Sequence, residues 1–188
     1  MFQRGMLIAL SVSIGACASA PEHLYMLQDA PSASATSGWN RPLVLVGPVT
    51  VPEIVDRPQL VVREGKYGVS INEQERWATP LKDSLPQVIA TQLGERCPKA
   101  RFGLMRQAET SEPSARLNVD FTRMDIDRAL GVTVAANWTY RGGEKNIART
   151  SQGRATINSA VFAEYVDAMQ RAISAWAEDV SRQLPVCQ

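Results

Sequence analysis

The side chains that most often perform catalysis are scarce in this 188-residue chain, which contains three cysteines and one histidine, His23. A serine hydrolase needs a base beside its nucleophile, and a zinc site needs several Cys or His ligands. Asp120, Asp125 and Asp127 come close enough in sequence to form a carboxylate pair, but a solvated strand face and turn explains them better. The sequence therefore predicts no catalytic residue, no metal site and no bound cofactor.

Cys17 is the cysteine with the most informative sequence context. It follows an apolar run at residues 6–14 that is too short to span a bilayer as a stable helix. The run ends in Ile14-Gly15-Ala16-Cys17, which resembles the lipobox of bacterial lipoproteins. That resemblance implies a signal peptide over residues 1–16, cleavage between Ala16 and Cys17, and lipidation of the Cys17 thiol. The alternative is an ordinary secretory signal that is cleaved after Ala16 or Ala20 and leaves a free thiol.

A lipidated Cys17 would place the protein on a membrane. Each buried methylene contributes roughly 0.8 kcal/mol, so several acyl chains on one residue hold essentially permanently. Ala18 stands where aspartate commonly marks inner-membrane retention in enterobacterial lipoproteins, so the resemblance implies the outer membrane, facing the periplasm. Removing residues 1–16 removes one basic residue, Arg4, from 20 basic and 19 acidic residues and leaves 19 of each. This balance argues against a nucleic-acid partner, which requires a basic field.

The mature chain divides into a tether at residues 17–42 and one folded domain at residues 43–188. Residues 22–27 are a candidate short strand, whereas residues 28–42 are rich in Ala, Ser and Pro and are typical of a flexible linker. As a random coil, about 15 residues reach roughly 20 Å, so the domain is expected to stand off the bilayer.

Alternating apolar and polar residues, separated by turn residues, predict seven strands in the domain. They cover residues 43–51, 60–64, 67–72, 101–106, 116–127, 129–141 and 146–157. A polar turn is expected at residues 109–113. Gly142-Gly143 is a hairpin signal, so the last three strands are expected to form an antiparallel meander.

Apolar residues three and four positions apart predict two helices. The first follows Thr79 as its cap, but Pro86 either delays its start to a cap at Ser84 or bends it. The second is capped by Asn158 or Ser159. The resulting order, β-β-β-α-β-β-β-β-α, predicts a single α+β domain in which two helices pack on a largely antiparallel sheet.

Several blocks carry a family resemblance. They are Val46-Gly47-Pro48-Val49, Asp56-Arg57-Pro58-Gln59-Leu60-Val61 and Arg76-Trp77-Ala78-Thr79-Pro80-Leu81. Together with the lipobox, Tyr25-Met26-Leu27 and the final helix, they resemble the ABC-type transport auxiliary lipoprotein family, whose best-known branch is paraquat-inducible protein C. The chain departs from the family pattern at Thr79, where an acidic residue is usual, and at Pro86 inside the expected helix.

This resemblance implies a non-enzymatic subunit that accompanies MCE-domain proteins in phospholipid transport between membranes. Such a subunit would dock the periplasmic assembly at the outer membrane and support envelope integrity; self-association into a homo-oligomer is left open. The alternative is a periplasmic carrier with its own lipid-binding cavity under the final helix. A pocket there would favour the carrier, and a filled core would favour the docking subunit; the lining residues would be Phe162, Tyr165, Met169 and Trp176.

Candidate partner contacts are Asp56, Arg57, Gln59 and Trp77. The alternative interpretation is structural. In that case Asp56-Arg57-Pro58 is a turn, and Trp77 is an apolar staple ahead of the first helix.

Cys97 and Cys187 each lie just beyond the end of a predicted helix, in a chain exported to an oxidising compartment. If the two predicted helices run parallel, their C-terminal ends lie together and the two sulfurs can meet. If they run antiparallel, a bond between the sulfurs requires a flexible tail. We predict a Cys97–Cys187 disulfide, which closes a loop of about 90 residues and, in the chain-entropy model, stabilises by roughly 4.6 kcal/mol less any strain. Intact-mass analysis of the mature protein should gain two hydrogens on reduction; two freely alkylated thiols without reductant would contradict the prediction.

Overall fold

The computed structural model describes residues 21–28, 40–105 and 113–188. The predicted signal peptide, Cys17, most of the linker, the end of the strand predicted at 101–106 and most of the turn predicted at 109–113 lie outside these residues. The elements are β1 (His23–Tyr25), β2 (Leu43–Thr50), β3 (Gln59–Glu64), β4 (Gly68–Trp77), α1 (Leu81–Arg96), β5 (Arg101–Leu104), β6 (Ala115–Asp127), β7 (Gly131–Gly142), β8 (Lys145–Ala155) and α2 (Phe162–Ser181). Short 3-10 helices cover Glu53–Val55 and Pro185–Cys187.

The eight described strands form one mixed sheet, and the predicted α+β class is confirmed. Strand order runs β1-β4-β3-β6-β2-β5, with β7 paired to β6 and β8 to β7. The long pairings β6–β7 and β7–β8 and the hairpin β3–β4 are antiparallel. The pairings of β2 with β5 and β6, of β3 with β6 and of β1 with β4 are parallel. α1 connects β4, which pairs with β1 and β3, to β5, which pairs with β2.

β6 is the central strand, which pairs with β2, β3 and β7. Its alternating apolar and polar residues explain how it lines the core. Leu117, Val119 and Phe121 are buried, as their alternation predicted. A register shift between Phe121 and Arg123 against β7 inserts one extra residue. Because a bulge shifts the alternation by one position, the next buried residues are Met124 and Ile126. The strand therefore keeps one apolar face in the core along its whole length.

α2 covers the meander. Its buried face carries aromatic and aliphatic residues at three- and four-residue spacing, as predicted: Tyr165, Val166, Met169, Ile173, Trp176 and Val180. The Phe121 and Trp176 ring centroids lie 5.3 Å apart, which joins the helix to the central strand. The predicted cap is wrong, because the N-cap residue is Val161 and makes no side-chain cap bond. Instead, Glu164 Oε1 accepts the Asn158 N–H at 3.0 Å.

α1 begins at Leu81, with Pro80 rather than Thr79 at the N-cap position. The predicted cap is therefore wrong. The helix also continues through Pro86 instead of restarting at Ser84, whose hydroxyl donates to the Leu81 carbonyl at 3.2 Å. Proline removes one helical hydrogen bond, and the helix tolerates this because its next turns are held by buried apolar side chains.

The folded domain starts earlier than residue 43. β1 is an edge strand that pairs in parallel with β4, matching His23 with Glu75 and Tyr25 with Trp77. Leu27 is only 5% exposed and belongs to the core. The candidate strand at 22–27 is therefore part of the sheet and not part of a free tether.

The C-terminal segment turns back toward the end of α1. Leu184 is buried, and Lys99 Nζ donates to the Gln188 carbonyl at 2.6 Å. Cys97 and Cys187 lie at disulfide-bonding distance, with their Cα atoms 4.4 Å apart. The Cys97–Cys187 bond in the exported protein remains our proposal. In the part of the chain that the structure describes, no helix is long and apolar enough to cross a membrane.

Gly153 of β8 allows α2 to approach the sheet closely. A Cβ atom at this position would collide with the Ala172 carbonyl oxygen and lie 2.5 Å from Trp176 N. We therefore expect Gly153→Ala to destabilise the fold by about 1–3 kcal/mol in denaturant unfolding, since helix backbone must move.

Gly94 of α1 provides the matched control, because a Cβ atom there would meet nothing within 4 Å. Gly94→Ala should stabilise by about 0.5–1 kcal/mol through helix propensity. A Gly153→Ala protein as stable as the parent would contradict the close packing of α2 on β8.

Candidate partner-binding surface

The predicted partner contacts lie on and around the loop between β2 and β3. Asp56 follows the short 3-10 helix, and its Oδ2 lies 3.1 Å from Lys82 Nζ on the first turn of α1. Gln59 begins β3, and its Nε2 donates to Glu73 Oε2 at 2.8 Å. Polar contacts at a surface contribute at most about 1 kcal/mol, so these side chains can exchange them for contacts with another molecule.

Arg57 lies between these residues and is half-buried. Its Nε atom is buried and has no hydrogen-bond partner among the described residues. Buried polar atoms are nearly always paired, and an unpaired one costs about 1–3 kcal/mol. Because the Nε atom is enclosed, any contact that Arg57 makes with another molecule must use the part of its half-buried side chain that remains exposed.

Trp77 is a core residue. Its side chain is only 7% exposed and belongs to the main hydrophobic cluster. Its backbone N–H donates to the Pro58 carbonyl at 2.7 Å, which fastens the loop before β3 to the end of β4. The structural interpretation of Trp77 is thus the better one. Direct partner contact rests on Asp56, Arg57 and Gln59, with Trp77 holding their loop in place.

The structure reveals a cluster around Glu75 that the sequence did not indicate. The Tyr25 hydroxyl donates to Glu75 Oε2 at 2.6 Å, and His23 Nδ1 lies 2.9 Å from Glu75 Oε1. Burial by itself acts to raise the pKa of Glu75, but the hydrogen bonds from Tyr25 and His23 and the charge of His23 hold that pKa below its usual range. Burial and the Glu75 carboxylate raise the pKa of Tyr25 to about 12.

This cluster joins β1 to β4 and has no arrangement for bond chemistry. The Tyr25 proton is held by the carboxylate and is too weakly acidic to be released near neutral pH. The side-chain hydrogen bonds of this cluster join His23, Tyr25 and Glu75 to one another. Across the described ranges, no group of three or more His, Cys, Asp or Glu side chains could hold a metal ion. The cluster is suited to fixing the position of β1.

The aromatic stripe under α2 is packed into the core. Tyr165, Met169 and Trp176 are each at most 2% exposed, and Phe162 packs against the same cluster. The Phe162 and Tyr165 ring centroids lie 5.3 Å apart with an edge-on geometry. These four side chains therefore fill the space in which the carrier interpretation requires a cavity.

The Glu75 cluster generates a pH prediction. Because the folded state lowers the Glu75 pKa, this carboxylate stabilises the fold above its unfolded pKa of about 4.3. That stabilisation is lost as pH falls through the folded value. Glu75→Gln should therefore lower stability at neutral pH, by about 1–2 kcal/mol for the lost charged hydrogen bonds. It should also flatten the decline in stability below pH 4.3.

Glu144→Gln in the exposed β7–β8 turn is the control and should leave the pH profile unchanged. The measurement is denaturant unfolding between pH 3 and 7. Equal acid dependence in the parent and Glu75→Gln would contradict the assigned role of Glu75.

Comparison with known proteins agrees with the residue pattern. Residues 25–181 match the family described as "ABC-type transport auxiliary lipoprotein component". No curated protein sequence matches this chain at a significant level.

Two solved structures share the fold. A crystal structure of an uncharacterized protein is 18% identical, covers 87% of this chain and 99% of its own, and superimposes with a TM-score of 0.74. The crystal structure of protein XCC0632 from Xanthomonas campestris, assigned to family DUF330, is 16% identical and covers 84% of this chain and 92% of its own, with a TM-score of 0.64. With the family match spanning β1 to the end of α2, the chain belongs to the ABC-type transport auxiliary lipoprotein family.

Proposed function

We propose that this protein is a non-enzymatic lipoprotein subunit of an MCE-type system that transports phospholipid between membranes. In this role it docks the periplasmic assembly at the outer membrane and supports envelope integrity. The observation that carries the proposal is the family match over residues 25–181 directly downstream of a lipobox at Cys17. A transport auxiliary component needs an anchor and a binding surface, and the described residues offer a candidate surface at Asp56, Arg57 and Gln59.

The proposed anchor is a lipid on Cys17, which lies six residues before the first residue of β1 at His23. Six residues of fully extended chain span at most about 20 Å. A lipidated protein would thus hold its domain close to the bilayer instead of at the end of a long tether. A short distance between the domain and the bilayer suits a subunit that docks a periplasmic assembly at the membrane.

The proposed docking surface consists of Asp56, Arg57 and Gln59. Arg57 supplies a positive charge on a half-buried side chain, and a partner carboxylate or carbonyl oxygen would pair with its exposed part. Asp56 and Gln59 flank it and already make exchangeable polar contacts. We therefore expect the MCE-domain partner to present acidic or carbonyl acceptors to this loop.

The filled core under α2 supports the docking subunit over the lipid carrier. A carrier must bury most of its ligand's surface in a cavity. Tyr165, Met169 and Trp176 instead bury one another and the sheet. Lipid transfer in this proposal belongs to the partner assembly.

Arg57→Glu tests the docking surface. The change leaves the core intact but presents a carboxylate to the partner's acceptors, so we expect capture of the MCE-domain partner to fall at least about tenfold, the equivalent of 1.4 kcal/mol. The measurement is crosslinking in intact cells followed by mass spectrometry of the captured protein.

Arg149→Glu on the exposed face of β8 is the matched control, because it makes the same charge change far from this loop. Equal thermal stability of both variants would show that folding is preserved. Undiminished capture by folded Arg57→Glu protein would refute the surface, while failure of every variant and of the parent to capture an MCE-domain protein would refute the proposed function.

A further inference from the structure

One end of the domain presents large apolar side chains on separate turns. The β3–β4 turn carries Tyr67, which is 86% exposed, and the β6–β7 turn carries Leu130, which is 80% exposed. The two turns are neighbours, because Arg63 of β3 pairs with Asp127 of β6 in parallel register. We call Tyr67 and Leu130 the apolar tips.

Local contacts order the turn that carries one tip and place a cation beside the other. Asp127 Oδ1 accepts the N–H groups of Ala129 and Leu130 at 2.9 and 3.0 Å, which fixes the turn that carries the second tip. Lys66 Nζ lies 5.1 Å from the centre of the Tyr67 ring, so a cation accompanies the first tip. Tyrosine combines an apolar ring with a polar hydroxyl and is suited to a membrane interface, as is an exposed leucine beside basic residues.

The surface around the tips is suited to lipid headgroups. Lys66 and Arg128 stand directly beside the tips, and the acidic residue between them, Glu64, lies 3.8 Å from Arg128 Nη2. Long basic side chains can lie along apolar surface while their charged groups contact phosphates. Val69, at the start of β4, is also exposed and extends the apolar surface away from the Tyr67 tip.

The direction of β1 points the predicted anchor toward the same end. β1 runs parallel to β4, and β4 runs from the tips to Trp77. The chain therefore approaches His23 from the side of the tips. By this register Pro21 lies level with Glu73, about 17 Å along the strand from Gly68. The four residues from Cys17 to Pro21 can span about 14 Å, which is most of this distance, and the Cys17 side chain with its proposed lipid extends the reach further.

We propose that the apolar tips enter the interfacial layer of the bilayer on which Cys17 is anchored, with Lys66 and Arg128 contacting lipid phosphates. This inference rests on the proposed lipid anchor. An anchor within reach makes the second contact effectively intramolecular, so two apolar side chains suffice where a soluble protein would need more. The domain would then have a fixed orientation, with the β7–β8 turn facing away from the membrane.

That opposite turn supplies a matched control. β6 and β7 are antiparallel, so Glu144 in the β7–β8 turn lies at the far end of the same hairpin system from Leu130. The turn reads Gly142-Gly143-Glu144-Lys145 and carries no large apolar side chain. A probe at position 144 therefore measures membrane contact at the end of the domain that should face away from the bilayer.

The test uses the full acylated protein in vesicles of phosphatidylethanolamine and phosphatidylglycerol that contain a nitroxide-labelled lipid. Single-cysteine substitutions Tyr67→Cys, Leu130→Cys and Glu144→Cys carry the same fluorophore. The introduced thiols react selectively if Cys17 is acylated and Cys97 is joined to Cys187, which intact mass establishes first. We expect at least threefold stronger quenching by the nitroxide lipid at positions 67 and 130 than at position 144.

The outcomes separate this inference from the function on which it rests. Protein that floats with the vesicles but shows equal or weak quenching at all three positions overturns the tip contact and leaves the anchor standing. Fluorophores at the tips that are shielded from water yet unquenched indicate a protein partner or a second copy there, and also overturn it. Protein that does not float contradicts the anchor, and the inference falls with it.

Discussion

The parallel pairing of β1 with β4 determines how the whole domain relates to the N-terminal chain. Three residues make the ladder, and the Glu75 carboxylate secures it by accepting hydrogen bonds from Tyr25 and contacting His23. Beyond it, the Ala78 N–H donates to the Tyr25 carbonyl at 2.8 Å. A chain fixed in this way leaves the sheet in one direction only. In the proposed function, that direction determines which end of the domain faces the membrane.

The direction set by β1 orients the whole domain only if the rest of the domain is well packed. The central strand β6 contacts β2 and β3 on one edge and β7 on the other, so both halves of the sheet depend on it. α2 covers the meander. Because Gly153 has no side chain, the α2 backbone can pack directly against β8. Trp77 links this core to the loop that carries Arg57. The apolar tips, the loop and the N-terminal strand therefore keep constant positions relative to one another.

Sequence periodicity predicted most of the fold, because long segments repeat their pattern many times. The meander and α2 were predicted correctly for this reason, whereas the caps at Thr79 and Asn158 were wrong because a single polar residue competes weakly with packing. The surface was harder to predict. Glu75 meets His23 and Tyr25 only through the register of strands about fifty residues apart, and no local pattern encodes such a register. The sequence leaves open whether Trp77 contacts a partner or acts as an apolar staple, and its burial in the core favours the staple.

The central claim is that residues 23–25 belong to the folded domain and so fix the point where the N-terminal chain leaves it. Hydrogen exchange of the vesicle-bound protein, read in a peptide that covers residues 21–28, tests this directly. The claim predicts that amides in this peptide exchange far more slowly than those of an unfolded chain. Their protection should be comparable to that of the β4 residues that pair with β1. Exchange at the unfolded rate in this peptide, beside a protected β4, would show a free tether and contradict it.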